Sequence, residues 1–259
     1  MLLPPEDSFL VGTQTCCEKY IRCLQDRIRE GETKMAAVKV ISLTKEYGNG
    51  ENYIKAVDNV SLTIEEEEFA AVVGASGSGK TTLLNLIGGL EYPTHGVVYV
   101  DDVDITQLSA EEQTCFRRQH IGFIFQKYNL IPAMNIFENI VLPAKLMDRK
   151  IDKEEVFRLA EDLEIQDKLF QTPDTLSGGQ QQRAAIARAI FTRPAILLGD
   201  ELTGNLDSKT RASVMKLLKE TCRKYRQTLL IVTHDKTVAA MADRIISMKD
   251  GRIVENEKV

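Results

Sequence analysis

Short apolar runs of strand length alternate along most of the chain with segments whose apolar residues recur at helical spacing. Glycine-containing turns or charged segments separate the apolar runs, which is typical of β-strands. The predicted strands occupy residues 38–43, 60–64, 69–73, 97–100, 121–125, 195–198 and 228–232. Because helical segments intervene between several of these strands, the pattern predicts an α/β fold.

The stretch from about residue 128 to residue 190 departs from this alternation because helix-forming residues dominate it. It predicts a helical block inserted into the α/β fold, with its charged residues on solvated faces. We expect Pro132 and Pro143 to break the first part of this block. A compact domain is predicted over residues 36–259. For residues 1–34 the pattern leaves two alternatives, a poorly ordered tail or a short amphipathic helix.

A glycine-rich loop lies between the predicted strand at 69–73 and an apolar-faced helical segment. The loop consists of Gly74, Ala75, Ser76, Gly77, Ser78, Gly79, Lys80 and Thr81. It fits the phosphate-binding pattern G-x-x-x-x-G-K-[ST], in which glycines and the helix N-terminus let backbone amides approach phosphate oxygens. We expect Lys80 to reach the β- and γ-phosphates and Thr81 to place its hydroxyl on Mg²⁺. The alternative, a surface turn with an exposed lysine, is disfavoured by the strand and helix on either side.

Polar side chains follow three of the predicted strands, at the carboxyl ends where open α/β sheets bind ligands. Gln126 follows the strand at 121–125, and His234 comes shortly after the strand at 228–232. Asp200 and Glu201 close the strand at 195–198, where Asp200 suits Mg²⁺ and Glu201 can polarise a water. The alternatives are a loop glutamine, a surface acidic pair and a structural histidine. Tyr47 ends the first strand and is either a stacking platform for a nucleotide base or a half-buried strand-end tyrosine.

The composition and charge of the chain argue against several classes of protein. In 259 residues, 43% hydrophobic content is enough to bury a core. Five cysteines without a C-x-x-C pair argue against a disulfide framework, which fits a reducing cytoplasm. A formal net charge of −5 and the absence of a Lys/Arg-rich block argue against nucleic-acid binding. The apolar runs are far shorter than the roughly 20 residues that span a bilayer. No secretion signal is visible at the acidic N-terminus.

One further motif, Leu-Ser-Gly-Gly-Gln at residues 176–180, follows the helical block. With it the chain resembles the ATP-binding cassette (ABC) ATPase family over nearly all of residues 36–259. The family's motifs occur in order: the phosphate loop, the Q-loop at Gln126, this signature, Walker B ending at Asp200 and Glu201, the D-loop at 205–207 and the switch residue His234. The resemblance implies a P-loop NTPase core of the RecA-like type with an antiparallel β subdomain and an inserted α-helical subdomain.

The resemblance also implies a mechanism. Two cassettes would dimerise head to tail, with each ATP enclosed between the phosphate loop of one copy and the signature of the other. Glu201 would be the general base, His234 would contact the γ-phosphate, and Asp200 with Gln126 would organise Mg²⁺. The other residues implied to contact the nucleotide or to couple the two sites are Tyr47, Thr82, Ser177, Gly178, Gly179, Gln180 and Asp207.

Two positions depart from the family pattern. Leu202 stands where a proline is common after the catalytic glutamate, and Gly199 stands where a larger apolar residue is usual before the aspartate. We expect these residues to loosen a turn and a strand end without removing a catalytic group.

The segments at 74–80, 129–132 and 203–207 resemble one branch of the family. This branch serves macrolide export, lipoprotein release and antimicrobial-peptide resistance, and it includes the cell-division ATPase that drives wall hydrolases. The resemblance implies a separate permease with a large extracytoplasmic domain, and a cytoplasmic position on the inner face of the cell membrane. The permease would dock near residues 126–138, where Ile136 and Phe137 are candidate contacts unless they pack in the core.

Three functions remain open within the resemblance. The favoured one is an energy-supplying subunit for export or extraction, and the second is mechanotransmission without transport. The third is a soluble ABC ATPase acting on ribosomes or DNA. The single cassette and the absence of sustained heptads argue against the third.

Overall fold

The strands in the described part of the chain form two sheets. The computed structural model describes residues 36–48 and 53–258, so the segment 1–34 lies outside the described residues. The strands are β1 (Ala36–Tyr47), β2 (Ile54–Glu65), β3 (Phe69–Val73), β4 (His95–Val100), β5 (Val103–Asp104), β6 (Ile121–Phe125), β7 (Ile196–Asp200), β8 (Leu229–Thr233), β9 (Arg244–Lys249) and β10 (Arg252–Lys258). The helices are α1 (Lys80–Ile87), α2 (Ala110–His120), α3 (Ile136–Lys145), α4 (Lys153–Asp162), α5 (Gly178–Phe191), α6 (Ser208–Lys224) and α7 (Lys236–Ala239).

The larger sheet has the order β10-β9-β3-β8-β7-β6, and its five strands from β9 to β6 are parallel. Strands β3 and β8 are buried on both faces, which explains why they are continuously apolar rather than alternating. The strands predicted at 69–73 and 121–125 are confirmed with those bounds. Because the strands are parallel, the carboxyl ends of β3, β6, β7 and β8 meet at one edge of the sheet.

The smaller sheet is antiparallel, with the order β2-β1-β4-β5. Strands β1 and β2 are longer than the predicted runs at 38–43 and 60–64, because polar residues continue both strands beyond their apolar centres. The buried side chains of this sheet join a second core with residues of α1 and β3, including Leu83, Ile87 and Val72. The sheet therefore packs against the phosphate-loop helix.

The segment 128–190 holds α3, α4 and α5, and α5 packs against both of the other two helices. Pro143 lies inside α3, so the prediction that it breaks the helix is wrong. A proline in the interior of a helix lowers the stability of the helix by about 3 kcal/mol. Its neighbours Val141 and Ala144 are fully buried, and burial of a valine side chain alone contributes roughly 1.5–3 kcal/mol, which helps to hold the helix through the proline.

Two further expectations for this block are corrected. Ile136 is fully buried in the core, so it cannot contact a partner, whereas Phe137 is partly exposed. The charged residues do not all lie on solvated faces, since Glu155 is 15% exposed and pairs with Arg149 at 3.6 Å and Arg193 at 2.7 Å. Over the described residues, no helix is both long and apolar enough to cross a membrane.

Candidate nucleotide-binding and hydrolysis site

The phosphate loop connects β3 to α1 and wraps around its own lysine. Lys80 is 7% exposed, and its ammonium donates to the carbonyls of Gly74 at 3.0 Å and Ala75 at 2.8 Å. Gly79 begins the helix with φ 98, and a side chain there would collide with the carbonyl of Ala56. Ala75, Ser76 and Gly77 form the exposed tip of the loop. The loop is therefore a backbone cradle with a cation at its centre, the chemistry that phosphate binding requires.

Thr81, in the first turn of α1, lies against the end of β7. Its hydroxyl donates to Asp200 Oδ1 at 3.3 Å. Burial raises the pKa of the Asp200 carboxyl; the charge of Glu201 adds to this effect, and Thr81 and Lys80 oppose it. These hydroxyl and carboxylate oxygens are hard donors that fit Mg²⁺. Among the described residues no three His, Cys, Asp or Glu side chains form a group that could hold a metal ion.

Glu201 and His234 meet at the same edge. The parallel register pairs Asp200 with Val232, which brings the residues after β7 and β8 side by side. His234 Nδ1 lies 2.9 Å from Glu201 Oε1. Glu201 has φ 44 in the left-handed region, and its N–H donates to the carbonyl of Val232 at 3.0 Å. The carboxylate that could activate a water is thus fixed by its backbone and by the histidine.

Gln126 follows β6 as expected, but its side chain turns toward the D-loop. Its amide donates to Asn205 Oδ1 at 3.4 Å, and Asn205 Nδ2 donates back to the Gln126 carbonyl at 3.2 Å. Gln126 is therefore held beside the residues that precede Asp207, and its assignment as an Mg²⁺ ligand stays a prediction.

Tyr47 ends β1 with 40% of its surface exposed. Its hydroxyl donates to the carboxylate of Glu91, and Lys45 Nζ lies 5.1 Å from the centre of its ring. Partial burial and the carboxylate of Glu91 raise the pKa of Tyr47, while a hydrogen bond with Thr82 opposes the shift. The ring is thus tethered next to α1, where a base attached to loop-bound phosphates could stack on it.

The signature residues form the N-terminus of α5. Ser177 Oγ accepts from the Gln180 N–H at 3.4 Å, and Gln180 Oε1 accepts from the Ser177 N–H at 2.9 Å, which is a capping box. A Cβ added at Gly178 would lie 2.8 Å from the Tyr128 hydroxyl, and one at Gly179 would lie 2.5 Å from Thr210 Cγ2. A larger residue at either position would therefore require Tyr128 or Thr210 to move.

Asp207 caps α6 by accepting from the N–H groups of Lys209 at 3.1 Å and Thr210 at 3.0 Å. One helical turn later, Arg211 donates to the Leu206 carbonyl at 3.2 Å and forms an ion pair with Asp235. Arg211 thus ties the D-loop to the residue that follows His234. A hydrogen bond from the Thr237 hydroxyl is the largest favourable cause that lowers the pKa of Asp235 to about 2.

The predicted site residues fall into two groups. Lys80, Thr81, Asp200, Glu201 and His234 are brought together at the edge of the larger sheet. No hydrogen bond within 53–258 joins Ser177, Gly178, Gly179 or Gln180 to the phosphate loop. Hydrogen bonds between the described residues therefore do not join the two groups into one site.

Sequence reasoning missed two residues. Glu91 carries no motif, and no pattern indicated its bond to Tyr47 across 44 residues. For Arg211 the sequence contains a weak indication of a specific role. A cation in the first turns of a helix interacts unfavourably with the helix dipole, so a nearby acceptor is expected to stabilise it.

One expectation about the catalytic turn is wrong. Gly199 and Leu202 do not loosen it, because the Leu202 side chain, 4% exposed, packs directly against Gly199. The Leu202 side chain therefore fills the space next to Gly199 at this turn.

The parallel sheet, the phosphate loop and the acidic strand end define a P-loop ATPase core, and the signature at the start of α5 defines its subclass. A family model described as ABC transporter matches residues 57–204. The chain belongs to the ABC transporter family and is an ATP-binding ATPase cassette of that family.

Similar proteins have been identified in archaea and bacteria. The chain is 45% identical over 228 residues to the uncharacterized ABC transporter ATP-binding protein MJ0796 of Methanocaldococcus jannaschii, covering 86% of this chain and 97% of that protein. It is 40% identical over 223 residues to the macrolide export ATP-binding/permease protein MacB of Rhodopirellula baltica, covering 85% of this chain but only 33% of MacB. The chain thus spans about a third of that MacB protein.

A solved structure has the same fold. It is a dimeric, post-hydrolysis state of the MJ0796 cassette bound to ADP and Pi, with a TM-score of 0.77 and 43% identity. The alignment covers 85% of this chain and 98% of that one.

Proposed function

We propose that this chain is the nucleotide-binding subunit of an exporter-type ABC transporter, which hydrolyses ATP to drive a separate membrane permease. The observation that carries the proposal is the pairing of Glu201 with His234 beside the Thr81–Asp200 contact. It brings a carboxylate, a histidine and oxygen atoms of the kind that Mg²⁺ prefers close to Thr81 of the phosphate loop. This arrangement suits in-line attack of water on a bound triphosphate.

The residues of the site have different roles in ATP hydrolysis. The loop amides and Lys80 bind the β- and γ-phosphates, and Tyr47 stacks on adenine. Glu201 accepts a proton from the water whose oxygen bonds to the γ-phosphorus, as the bond to the β-phosphate oxygen breaks and ADP leaves. His234 orients Glu201 and contacts the γ-phosphate. Thr81, Asp200 and Gln126 would hold Mg²⁺, which when bound neutralises charge on the phosphates.

The second ATP-contacting surface belongs to another copy of the chain. Ser177, Gly178 and Gly179 lie at the N-terminus of α5, which favours an anion. No hydrogen bond between the described residues joins them to the phosphate loop of the same copy. In a head-to-tail dimer they would close on the partner's γ-phosphate. Asp207 at the start of α6 would couple the two sites. The dimeric state of the MJ0796 cassette supports this reading.

The permease would dock beside the helical block. A groove between β6 and this block is lined by Phe123, Phe125, Pro143 and Arg188, next to the segment 126–138. Phe137 stacks with Phe170 at 6.2 Å between ring centroids, and Phe170 is 71% exposed. The combined ATP-binding and permease names of the MacB proteins support a membrane partner. We further propose that this permease has a large extracytoplasmic domain and holds the chain on the cytoplasmic face of the membrane.

The test is to trap the dimer with Glu201→Gln in the native host and identify what co-purifies from detergent-solubilised membranes with ATP present. The double variant Lys80→Ala/Glu201→Gln, with its phosphate loop disabled, is the matched control. Recovery of a multispanning protein with a large external domain, reduced in the control, supports the proposal. Recovery of ribosomal or DNA-repair proteins without any membrane protein contradicts it.

Mechanotransmission without transport is the second candidate, because the cassette would be the same and only the partner's action would differ. The recovered permease and wild-type chain, reconstituted in vesicles, distinguish the two. ATP-dependent movement of the permease's candidate cargo supports transport. ATP hydrolysis that is stimulated by the permease but moves no cargo supports mechanotransmission.

A further inference from the structure

The turn that carries Glu201 is held in a disfavoured backbone conformation. With φ 44, Glu201 lies in the left-handed region, which residues with a Cβ rarely adopt. Two backbone bonds support it, from Glu201 N–H to the Val232 carbonyl at 3.0 Å and from Gly204 N–H to the Glu201 carbonyl at 3.0 Å. Such a conformation persists only where the surroundings determine it. Side chains that pack under the turn are therefore expected to set where the carboxylate points.

Gly199 and Leu202 flank Asp200 and Glu201 on either side. A Cβ added at Gly199 would lie 2.8 Å from Leu202 Cδ2 and 2.9 Å from both Cδ1 and Cγ. Both residues are buried, and Leu202 belongs to the main hydrophobic core. The Leu202 side chain thus occupies the space that a larger residue at position 199 would fill. It packs against the turn from the side of the hydrophobic core.

We propose that Gly199 and Leu202 form a complementary positioning pair that sets the catalytic turn of this chain. Considered singly, each residue predicts a looser turn, whereas their packing makes them compensate for each other. Both residues are buried in the core, so they act through the backbone of Asp200 and Glu201. The inference rests on the proposed role of Glu201 as general base.

The pair predicts a specific pattern of enzyme kinetics. In Gly199→Ala the new methyl group must displace Leu202, which shifts the Glu201 turn. Because a displacement on the order of 1 Å can cost about 100-fold in rate, we expect kcat for ATP hydrolysis to fall roughly 10- to 100-fold. KM for ATP should change less than about threefold, since displacing Leu202 leaves the phosphate loop in place. Leu202→Ala should also lower kcat, because it removes the support of the turn.

Rescue is the decisive measurement. In Gly199→Ala/Leu202→Ala the alanine methyl group enters space that the truncated side chain has vacated, so kcat should recover at least about tenfold relative to Gly199→Ala. Leu163→Ala, at a fully buried leucine of the helical block, is the control for a general loss of stability. It should lower Tm and leave kcat per folded protein unchanged.

The outcomes separate this proposal from the proposed function. The positioning pair would be overturned if the loss of kcat in the double variant equalled the product of the two single losses. It would also be overturned if Gly199→Ala kept the wild-type kcat. Glu201→Gln is measured in parallel on the full chain. If that variant hydrolyses ATP at the wild-type rate, the general-base role fails, whatever the glycine and leucine variants do.

Discussion

Replacing Ser177 by alanine separates the structural role of the signature from its proposed role in catalysis. The substitution removes the hydroxyl that accepts from the Gln180 N–H at 3.4 Å at the exposed start of α5. Loss of such a cap typically costs about 1 kcal/mol. In a domain of this size we therefore expect Tm to fall by about 2–4 °C.

The effect of Ser177→Ala on activity should be larger than this loss of stability. If the hydroxyl also donates to the γ-phosphate held by the partner copy, the variant loses a hydrogen bond to a charged group. Such a bond contributes about 1.5–3 kcal/mol. Converted to a rate, this lowers kcat/KM for ATP hydrolysis roughly 10- to 150-fold.

The chain offers a matched control at the start of α2. Ser109 forms the same capping box, with Ser109 Oγ accepting from the Glu112 N–H at 3.3 Å and Glu112 Oε2 accepting from the Ser109 N–H at 2.9 Å. Ser109→Ala should lower Tm by a similar amount and leave phosphate release unchanged. The reasoning is refuted if both variants lose activity equally, or if Ser177→Ala hydrolyses ATP at the wild-type rate.

Three further predictions concern other parts of the chain. Because the pKa of Asp235 is lowered to about 2, its contribution to stability is complete above pH 4 and is lost as the pH falls from 4 to 2. The difference in Tm between wild type and Asp235→Asn should shrink over that range, and a constant difference would contradict this. Tyr47→Ala should weaken ATP binding by the roughly 1–3 kcal/mol of a stacking contact, measured by titration calorimetry, and Tyr47→Phe by much less. Equal losses of ATP affinity in Tyr47→Ala and Tyr47→Phe would exclude stacking. Burial raises the pKa of Cys222 to about 12, so native protein should resist alkylation there at pH 8, whereas modification at the rate of unfolded protein would contradict its burial.

The parallel strands and the main site were predictable because each has a local signal. Buried strands such as β6 are continuous apolar runs, and residues that follow parallel strands must meet at one edge of the sheet. The sequence pattern alone therefore predicts that Asp200, Glu201 and His234 lie close together. The helix through Pro143 was not predictable, since its stability comes from tertiary burial that outweighs local propensity.

Contacts between side chains that are distant in sequence or complementary in volume left no such signal. Tyr47 is predictable from its position at the end of β1, but Glu91, which accepts a hydrogen bond from its hydroxyl, follows no periodic pattern. Considered singly, Gly199 and Leu202 each predict a looser catalytic turn. Only their packing against each other, visible in three dimensions, shows that the leucine fills the space that the glycine leaves.

The most direct test of the central claim is the mass in solution of Glu201→Gln with and without ATP and Mg²⁺, measured by light scattering. If each site is completed by a second copy, the variant should change from the 29.1 kDa of one chain to twice that mass when ATP is added. The same variant carrying Ser177→Ala should dimerise more weakly. A Glu201→Gln protein that binds ATP at saturation yet keeps the mass of one chain would contradict the account.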